Sequence, residues 1–318
     1  FDRQGALGNT VFVKFRIINA GADTLKKMYA SLWSDPDLGG ATDDLVGCDT
    51  NLSLGYIYNA TNDDQLYGAA PPAVGYDFFL GPVDAAGDTL PLTSFNKYVN
   101  GTDPGSFAET YNYMQGFLPD GSDLIDPTTG LVTKFFHSGD PVTGSGWIDA
   151  NPADRRFLLN SGPFVMAPGD TQEVVGAIIV GQGKNRLSSI ASLRFFDTFA
   201  QAAFDSSFNL PSPPAQPVVD VATDHGKVVL SWDAASRNNY NQPGYKFEGY
   251  NIYQGASVAG PWTLLATYDE LTPPAVVFDA VFDIESGQII PLFPVALGSN
   301  LGVRFTHTIT QDAVRGGN

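Results

Sequence analysis

From Asn209 to Pro217 the chain reads NLPSPPAQP, and these four prolines constrain what can lie on either side. Proline offers no amide hydrogen and holds φ near −65°, so neither a helix interior nor a central strand passes through such a stretch. An extended spacer results, and it marks a domain boundary. The expected organisation is a larger domain over residues 1–210 and a smaller one over residues 211–318. With 318 residues, 43% of them hydrophobic, the chain has apolar material for two packed cores.

Just before the connector the apolar spacing is helical. Leu187, Ile190, Leu193, Phe196, Ala200, Ala203 and Phe204 recur at three and four, which predicts one long helix over 186–208, with Ser188 or Ser189 as its cap. Elsewhere the period is two. Val11, Val13, Phe15 and Ile17 alternate through Thr10 to Asn19, and Met28, Ala30 and Leu32 alternate with Tyr29, Ser31 and Trp33. With Asn19-Ala-Gly as the turn after the first, the two suggest an antiparallel pair opening a sandwich. Thr171 to Val180, TQEVVGAIIV, reads as a strand buried on both faces, and Arg156 to Asn160 and Gly162 to Met166 read as two shorter strands.

Between Ser34 and Gly81 turns dominate, broken by short apolar stretches at Leu54 to Tyr58 and Tyr76 to Leu80. A loop of that length inside a domain is usually functional or ordered by a ligand. Residues 82–154 are rich in turns and show no regular period, so no path follows for them. Charged residues make up only 16% of the chain beside 34 Gly and 22 Pro, a turn-rich β composition. The expected fold class is mainly β: a β-sandwich with long loops and one long helix, followed by a second sandwich.

Seventeen basic against 34 acidic residues give a formal charge of −17, and the basic ones do not cluster beyond Lys26-Lys27 and Arg155-Arg156. A phosphate backbone is repelled by such a surface, so nucleic acid is excluded as a partner. No run of 18 apolar residues is present, so no membrane-spanning helix is expected. The single cysteine, Cys48, forbids an internal disulfide and reads as a small buried apolar side chain. The sequence opens on Phe1 without a Met, which fits either a removed signal peptide or a fragment of a longer product.

Two resemblances bear on fold. Pro213-Pro-Ala-Gln-Pro-Val-Val-Asp-Val-Ala, followed by Gly226-Lys-Val-Val-Leu-Ser-Trp, resembles the first two strands of a fibronectin type III domain, with Trp232 as its core tryptophan. Gly249-Tyr-Asn-Ile-Tyr resembles the third strand and Gly260-Pro-Trp-Thr-Leu-Leu-Ala the edge strand after it. The resemblance implies an immunoglobulin-like sandwich in which Trp232, with Tyr250 or Ile252, fills the space between two sheets. Such domains continue to a Tyr-x-Val-like strand with a tyrosine corner, whereas this sequence stops at Arg315-Gly-Gly-Asn. The expectation is a sandwich incomplete at its C-terminus, continued past Asn318 or closed by strands from another chain.

The larger domain resembles those that precede such modules in secreted, sorting-signal-bearing proteins of Bacteroidota and Ignavibacteria-like bacteria. The residues that carry this are Trp33-Ser-Asp-Pro-Asp-Leu-Gly, Asp43-Asp-Leu-Val-Gly-Cys-Asp, Gly55-Tyr-Ile-Tyr-Asn, Pro71-Pro-Ala-Val-Gly-Tyr-Asp and Gly169-Asp-Thr-Gln-Glu-Val-Val. It implies export and a surface or extracellular role, and no particular activity.

The best candidate site is acidic. Asp35, Asp37, Asp43, Asp44 and Asp49 are interleaved with Gly39, Gly40 and Gly47, and no Lys or Arg stands between Lys27 and Lys97. Ca²⁺ takes six to eight oxygen ligands, and a glycine-bent loop can supply carboxylates and carbonyls together. The spacing is not that of an EF-hand. A merely solvated acidic loop is the competing reading, and Asp63, Asp64 and Asp77 are lesser contributors. Asp120 to Asp126 is a weaker candidate that also reads as two turns.

As carboxylate pairs for acid–base work, Asp35 with Asp49 or Asp77 with Glu109 come into question. The surrounding Gly and Asp density favours cation ligation over an apolar pocket that raises a catalytic pKa. His137, His225 and His307 are too scattered for zinc, and Gly181-Gln-Gly-Lys lacks phosphate-loop spacing. Tyr111, Tyr113, Phe135, Phe136 and Trp147 form either a sugar-binding platform or core. Asn51, Asn59 and Asn100 head glycosylation sequons, expected to be inert in a bacterial protein, and Asp23-Thr-Leu and Asp88-Thr-Leu resemble bacterial O-glycosylation sites.

These readings converge on a secreted, non-catalytic structural or adhesive surface protein, stabilised by calcium, that self-associates or joins other surface proteins, in a filament or another surface assembly. The alternative is a carbohydrate- or protein-binding module of a secreted hydrolase, with polysaccharide as a partner.

Overall fold

The computed structural model describes residues 6–210, 214–242, 246–271, 276–283, 288–299 and 301–314. After a 3-10 turn at Ala6–Asn9, the chain forms β1 (Thr10–Ile18), β2 (Leu25–Ser34), β3 (Asp44–Asp49), β4 (Leu54–Asn59), β5 (Asp63–Asp64), β6 (Gly68–Ala69), β7 (Ala73–Leu80) and β8 (Ser94–Val99). There follow α1 (Phe107–Met114), β9 (Leu124–Ile125), β10 (Val132–Thr133), β11 (Arg155–Met166), β12 (Thr171–Gly181) and α2 (Arg186–Asp205). The structure is mainly β, with 43% strand and 14% helix. It divides into two compact units, Phe1–Phe208 with Phe282–Gln288, and Asn209–Val281 with Ile289–Asn318. The boundary at 208 falls where the proline-rich connector begins, although Pro211 to Pro213 lie outside the described residues.

Two antiparallel sheets build the first unit, one of five strands in the order β1-β12-β7-β4-β3 and one of three in the order β2-β11-β8. The expected hairpin of the first two strands does not form. Val13 of β1 is opposite Gly176 of β12, whereas Leu32 of β2 is opposite Leu159 of β11. The chain crosses between sheets, so that Ile17 and Leu32 pack into one core from its two walls. Alternation fixes which face of a strand is buried, and leaves open which strand lies beside it.

β3, β4 and β7 occupy a region whose sequence reads as loop. All six residues of β4 are buried, because both faces of the larger sheet are covered and no polar residue marks every second position. On β7, Val74, Tyr76 and Phe78 face the sandwich core with Val46, Cys48, Ile57 and Val174. The intervening Ala73, Asp77 and Phe79 therefore face the other way, where α2 packs across β4, β7 and β12. Ile190, Leu193, Ala200 and Ala203 form the buried side of α2. Each fully buried large aliphatic side chain here is worth about 1.5–3 kcal/mol against leaving it exposed.

The cap of α2 is Asn185. Its side chain accepts from Leu187 N (3.0 Å) and Ser188 N (2.9 Å), and Ser188 Oγ accepts from Asn185 N (3.0 Å). Ser188 thus closes a reciprocal capping box from the third helical position. The two short strands expected at 156–166 are one strand, β11, with an irregularity between Ser161 and Phe164. Within 82–154, α1 is capped by Ser106, whose side chain accepts from Glu109 N (3.3 Å). It covers the outer face of the smaller sheet, where Tyr98, Tyr113 and Leu158 cluster.

After the connector the chain forms β13 (Val219–Asp224), β14 (Lys227–Trp232), α3 (Ala235–Asn238), β15 (Gly249–Gly255), β16 (Trp262–Asp269), β17 (Val276–Asp283), β18 (Gln288–Leu297) and β19 (Thr306–Ile309). β13, β14, β15 and β16 lie where the fibronectin-like resemblance places strands. The strands form a sheet in the order β13-β14-β19 and two hairpins, β15-β16 and β17-β18. Trp232 is buried, with its ring 5.5 Å from that of Tyr250 and 6.4 Å from that of Tyr268. The terminal Arg315 to Asn318 lie outside the described residues.

Candidate cation site and the buried acids around it

Five unneutralised carboxylates repel one another strongly at short range, and the fold distributes them among three settings. Arg156 takes Asp35, with Nε and Nη2 at 2.9 and 2.8 Å from Oδ2, and its Nη1 lies 3.7 Å from Asp154. Asp37 joins this group, since acid oxygens of Asp35, Asp37 and Asp154 lie within 4.8 Å of one another. Arg194 takes Asp49 (3.1 Å) together with Asp140 (2.8 Å). Asp43 and Asp44 go to a third place. The reading of one five-acid loop is therefore revised: two arginines distant in sequence draw off Asp35 and Asp49.

The third setting arises from strand register. Asp44 opens β3 directly opposite Asn59, which closes β4, and the next turn brings in Asp64. Asn59 Nδ2 lies 3.3 Å from Asp43 Oδ2, 3.3 Å from Asp64 Oδ2 and 3.4 Å from the Leu38 carbonyl. An amide NH₂ has two hydrogens, so three oxygens share them at long range. Asp44 Oδ2 accepts from Leu38 N (3.3 Å). Asn59 is 0% and Asp44 1% exposed, and Oδ1 of Asn59, Asp44 and Asp43 are buried without a hydrogen-bond partner.

Glycine lets the backbone close over these acids. Gly39 has φ +77°, and a Cβ there would sit 2.1 Å from Asp64 Oδ1; one at Gly40 would sit 2.9 Å from Asp43 Oδ1. Burial pushes the Asp44 carboxyl up to about 8, with the Leu38 amide opposing and the Asp43, Asp37 and Asp64 charges adding. Burial also raises Asp64, but the amides of Tyr67, Gly40 and Leu66 outweigh it and leave this carboxyl below its ordinary value.

Two further acids meet between β7 and α2. Asp77 and Asp197 are hydrogen-bonded to each other, which requires one proton between them because an ionised carboxylate has none to donate. Burial and the neighbouring charge of Asp197 hold Asp77 well above the usual range, and burial lifts Asp197 to about 7. Asp77 thus pairs with Asp197 and not with Glu109, which sits at the start of α1 and accepts from Gly105 N (2.7 Å). The other acid–base pair, Asp35 with Asp49, is divided between Arg156 and Arg194.

His137 lies beside a buried ion pair. Asp149 accepts from Arg155 Nη2 (2.8 Å) and Val46 N (3.2 Å), and His137 Nε2 is 3.8 Å away. Burial lowers His137 to about 4, with Asp149 opposing and the charges of Lys97 and Arg155 adding to the shift, so the ring is neutral at pH 7. Its neighbours are the rings of Trp147 (5.0 Å) and Phe136 (5.8 Å).

The five aromatics of the middle region contribute mainly to packing. Phe135 and Phe136 pack against the core, Tyr113 stacks on Tyr98, and Tyr111 donates to the Lys27 carbonyl (2.6 Å). Asp120 and Asp126 are turn acids, accepting from Ser122 N (3.0 Å) and Thr128 N (2.7 Å). Burial of Asn59 closes its sequon to any glycan.

Sequence reasoning missed Asn59, Asp154 and Asp197, and placed Asp64 only in second rank. Asp197 had a signal: it stands at the helical spacing Ile190, Leu193, Asp197, Ala200, one position from the Phe196 assigned to that stripe. No family model matches the sequence, and neither a curated protein nor a solved structure is similar to it.

Proposed function

We propose that the chain is a secreted, non-catalytic structural or adhesive component of a cell surface, of the type its resemblance to exported Bacteroidota proteins implies, and that calcium stiffens it. One observation supports this above all. Four acid–base groups whose proton affinity is strongly displaced, Asp44, Asp77, Asp197 and His137, are each at most 8% exposed, walled in by strands and α2. A catalytic acid or base must come within hydrogen-bond reach of its substrate. Groups sealed in this way serve the fold.

A second reading, an accessory binding module, draws support from the β15–β16 hairpin, where Trp262 is 56% and Tyr253 50% exposed. Such rings are suited to sugar faces or protein partners.

Two assays on the purified chain test these readings. Under the structural reading, a panel of glycosides, esters and peptides gives no turnover, and light scattering shows mass growing with concentration. Turnover abolished by Asp77→Asn would overturn it. A chain that stays monomeric and is retained on insoluble polysaccharide through Trp262 would replace it with the accessory module.

A further inference from the structure

We propose that the free edge of β2 takes strand β13 of a second copy of this chain, antiparallel, and that repetition of this contact links chains head to tail. This rests on the self-associating reading above and supplies its interface. The two sheets of the first unit differ in width. Leu32 of β2 packs against Gly176 of β12, and the Phe157 ring of β11 lies 5.2 Å from the Tyr76 ring of β7, so β2 roofs β12 and β11 roofs β7. That leaves β1, the outermost strand of the larger sheet, with no strand above it among the described residues. Val13 is opposite Gly176 and Phe15 opposite the buried Val174, so both share the inward face; yet Phe15 is 45% exposed, and Val11 on the same face is exposed too. Beside this step runs the free edge of β2, none of whose ten residues is buried. An unpaired edge next to uncovered apolar surface is the geometry of strand addition.

Charge and alternation identify the occupant. Lys26 and Lys27 stand exposed at the start of β2 in a chain of formal charge −17, and among the described residues no ion pair reaches either. Two β2 edges would set these like charges against each other, so an acidic strand is the complement. β13 is the outer strand of its own sheet, and all six of its residues are exposed. Its Val219 and Val221 alternate with Asp220 and Ala222, and Asp224 closes it beside the His225 ring. Val221 is 67% exposed although it is opposite Leu230, on the face that carries Trp232. Antiparallel addition with the apolar side chains inward sets Thr223 opposite Met28, Val221 opposite Ala30 and Val219 opposite Leu32. Val219 and Val221 then cover Val13 and Phe15. Asp224 comes beside Lys27, whose carbonyl already accepts from Tyr111 and so ends the pairing. A parallel strand would carry Asp224 to the opposite end, away from both lysines. The two edges are different surfaces, so each added chain leaves one of each kind free and growth stays open.

Sedimentation velocity on the full chain over a range of concentrations tests the contact. The native chain is expected to grow in mass with concentration. Lys27→Glu and Asp224→Lys each weaken association about fivefold, because an attraction becomes a repulsion. Mixing the two variants in equal amounts, or placing both changes in one chain, restores it, since opposite charges face each other again. Val221→Asp weakens association about tenfold or more by setting a carboxylate against Phe15. Val258→Asp, at the exposed tip between β15 and β16, leaves it within about a factor of two. Should Val221→Asp fail to fold, the charge exchange between Lys27 and Asp224 still decides. A native chain that stays monomeric, association unchanged by these three variants, or no recovery on mixing overturns the contact. Association that persists unchanged leaves the structural reading standing with another interface. Enzymatic turnover by a chain that assembles as described would overturn that reading and leave the contact standing.

Discussion

The carboxyls of Asp77 on β7 and Asp197 on α2 meet in the interior, each 1% exposed, and share a hydrogen bond that depends on a single proton. Their proton affinity links helix docking to pH. Both groups are raised above the ordinary 3.8, Asp197 to about 7, so the folded state holds its proton after the unfolded chain has released it. The associated stability is full below about pH 4 and lost as pH rises through about 7. Each pKa unit corresponds to about 1.4 kcal/mol. Asp197→Asn removes the shared proton, so urea unfolding from pH 5 to 8 is expected to show a loss of a few kcal/mol in the native chain and a smaller loss in the variant, where Asp44, raised to about 8, still titrates.

His137 contributes the opposite slope. Its pKa is lowered to about 4, so its contribution is present above 6.5, the usual value, and is lost as pH falls through about 4. With His137→Gln the acid side of the same stability profile flattens while the alkaline side is unchanged.

At Gly39 a side chain has no room. The left-handed φ of +77° and a Cβ 2.1 Å from Asp64 Oδ1 make Gly39→Ala costly, by about 1–3 kcal/mol from the backbone strain alone. Chemical denaturation measures that loss.

Asn185 gives a cleaner local test. Its side chain satisfies two amides at the start of α2, and Asn185→Ala is expected to cost about 1 kcal/mol in urea unfolding.

The single thiol reports on the sandwich core. Cys48 is 1% exposed and burial drives its pKa upward, so iodoacetamide should label it only once the chain is unfolded. Rapid labelling of the native protein would show that the first unit opens around β3.

How much of this was legible in the sequence follows from where the signals are strong. α2, β1, β2, β12 and the first strands of the second unit were readable, because period and turn residues reinforce each other there. β3, β4 and β7 were not: burial on both faces erases the alternation, and glycines and aspartates imitate turns. The pairing of β1 with β12 depends on residues some 160 positions apart, beyond the reach of any local pattern. Acidity between Asp35 and Asp49 marked the candidate region, and strand register and distant arginines selected the partner of each acid. Asp44 meets Asn59 because β3 and β4 pair, while Arg156 and Arg194, from β11 and α2, take Asp35 and Asp49 away.

The most direct measurement is a crystal structure of the chain grown with calcium, with anomalous scattering locating the ion. The account expects calcium bound among the acids between Asp35 and Asp64, with oxygen ligands at about 2.3–2.6 Å. The absence of any anomalous peak among these acids would contradict it.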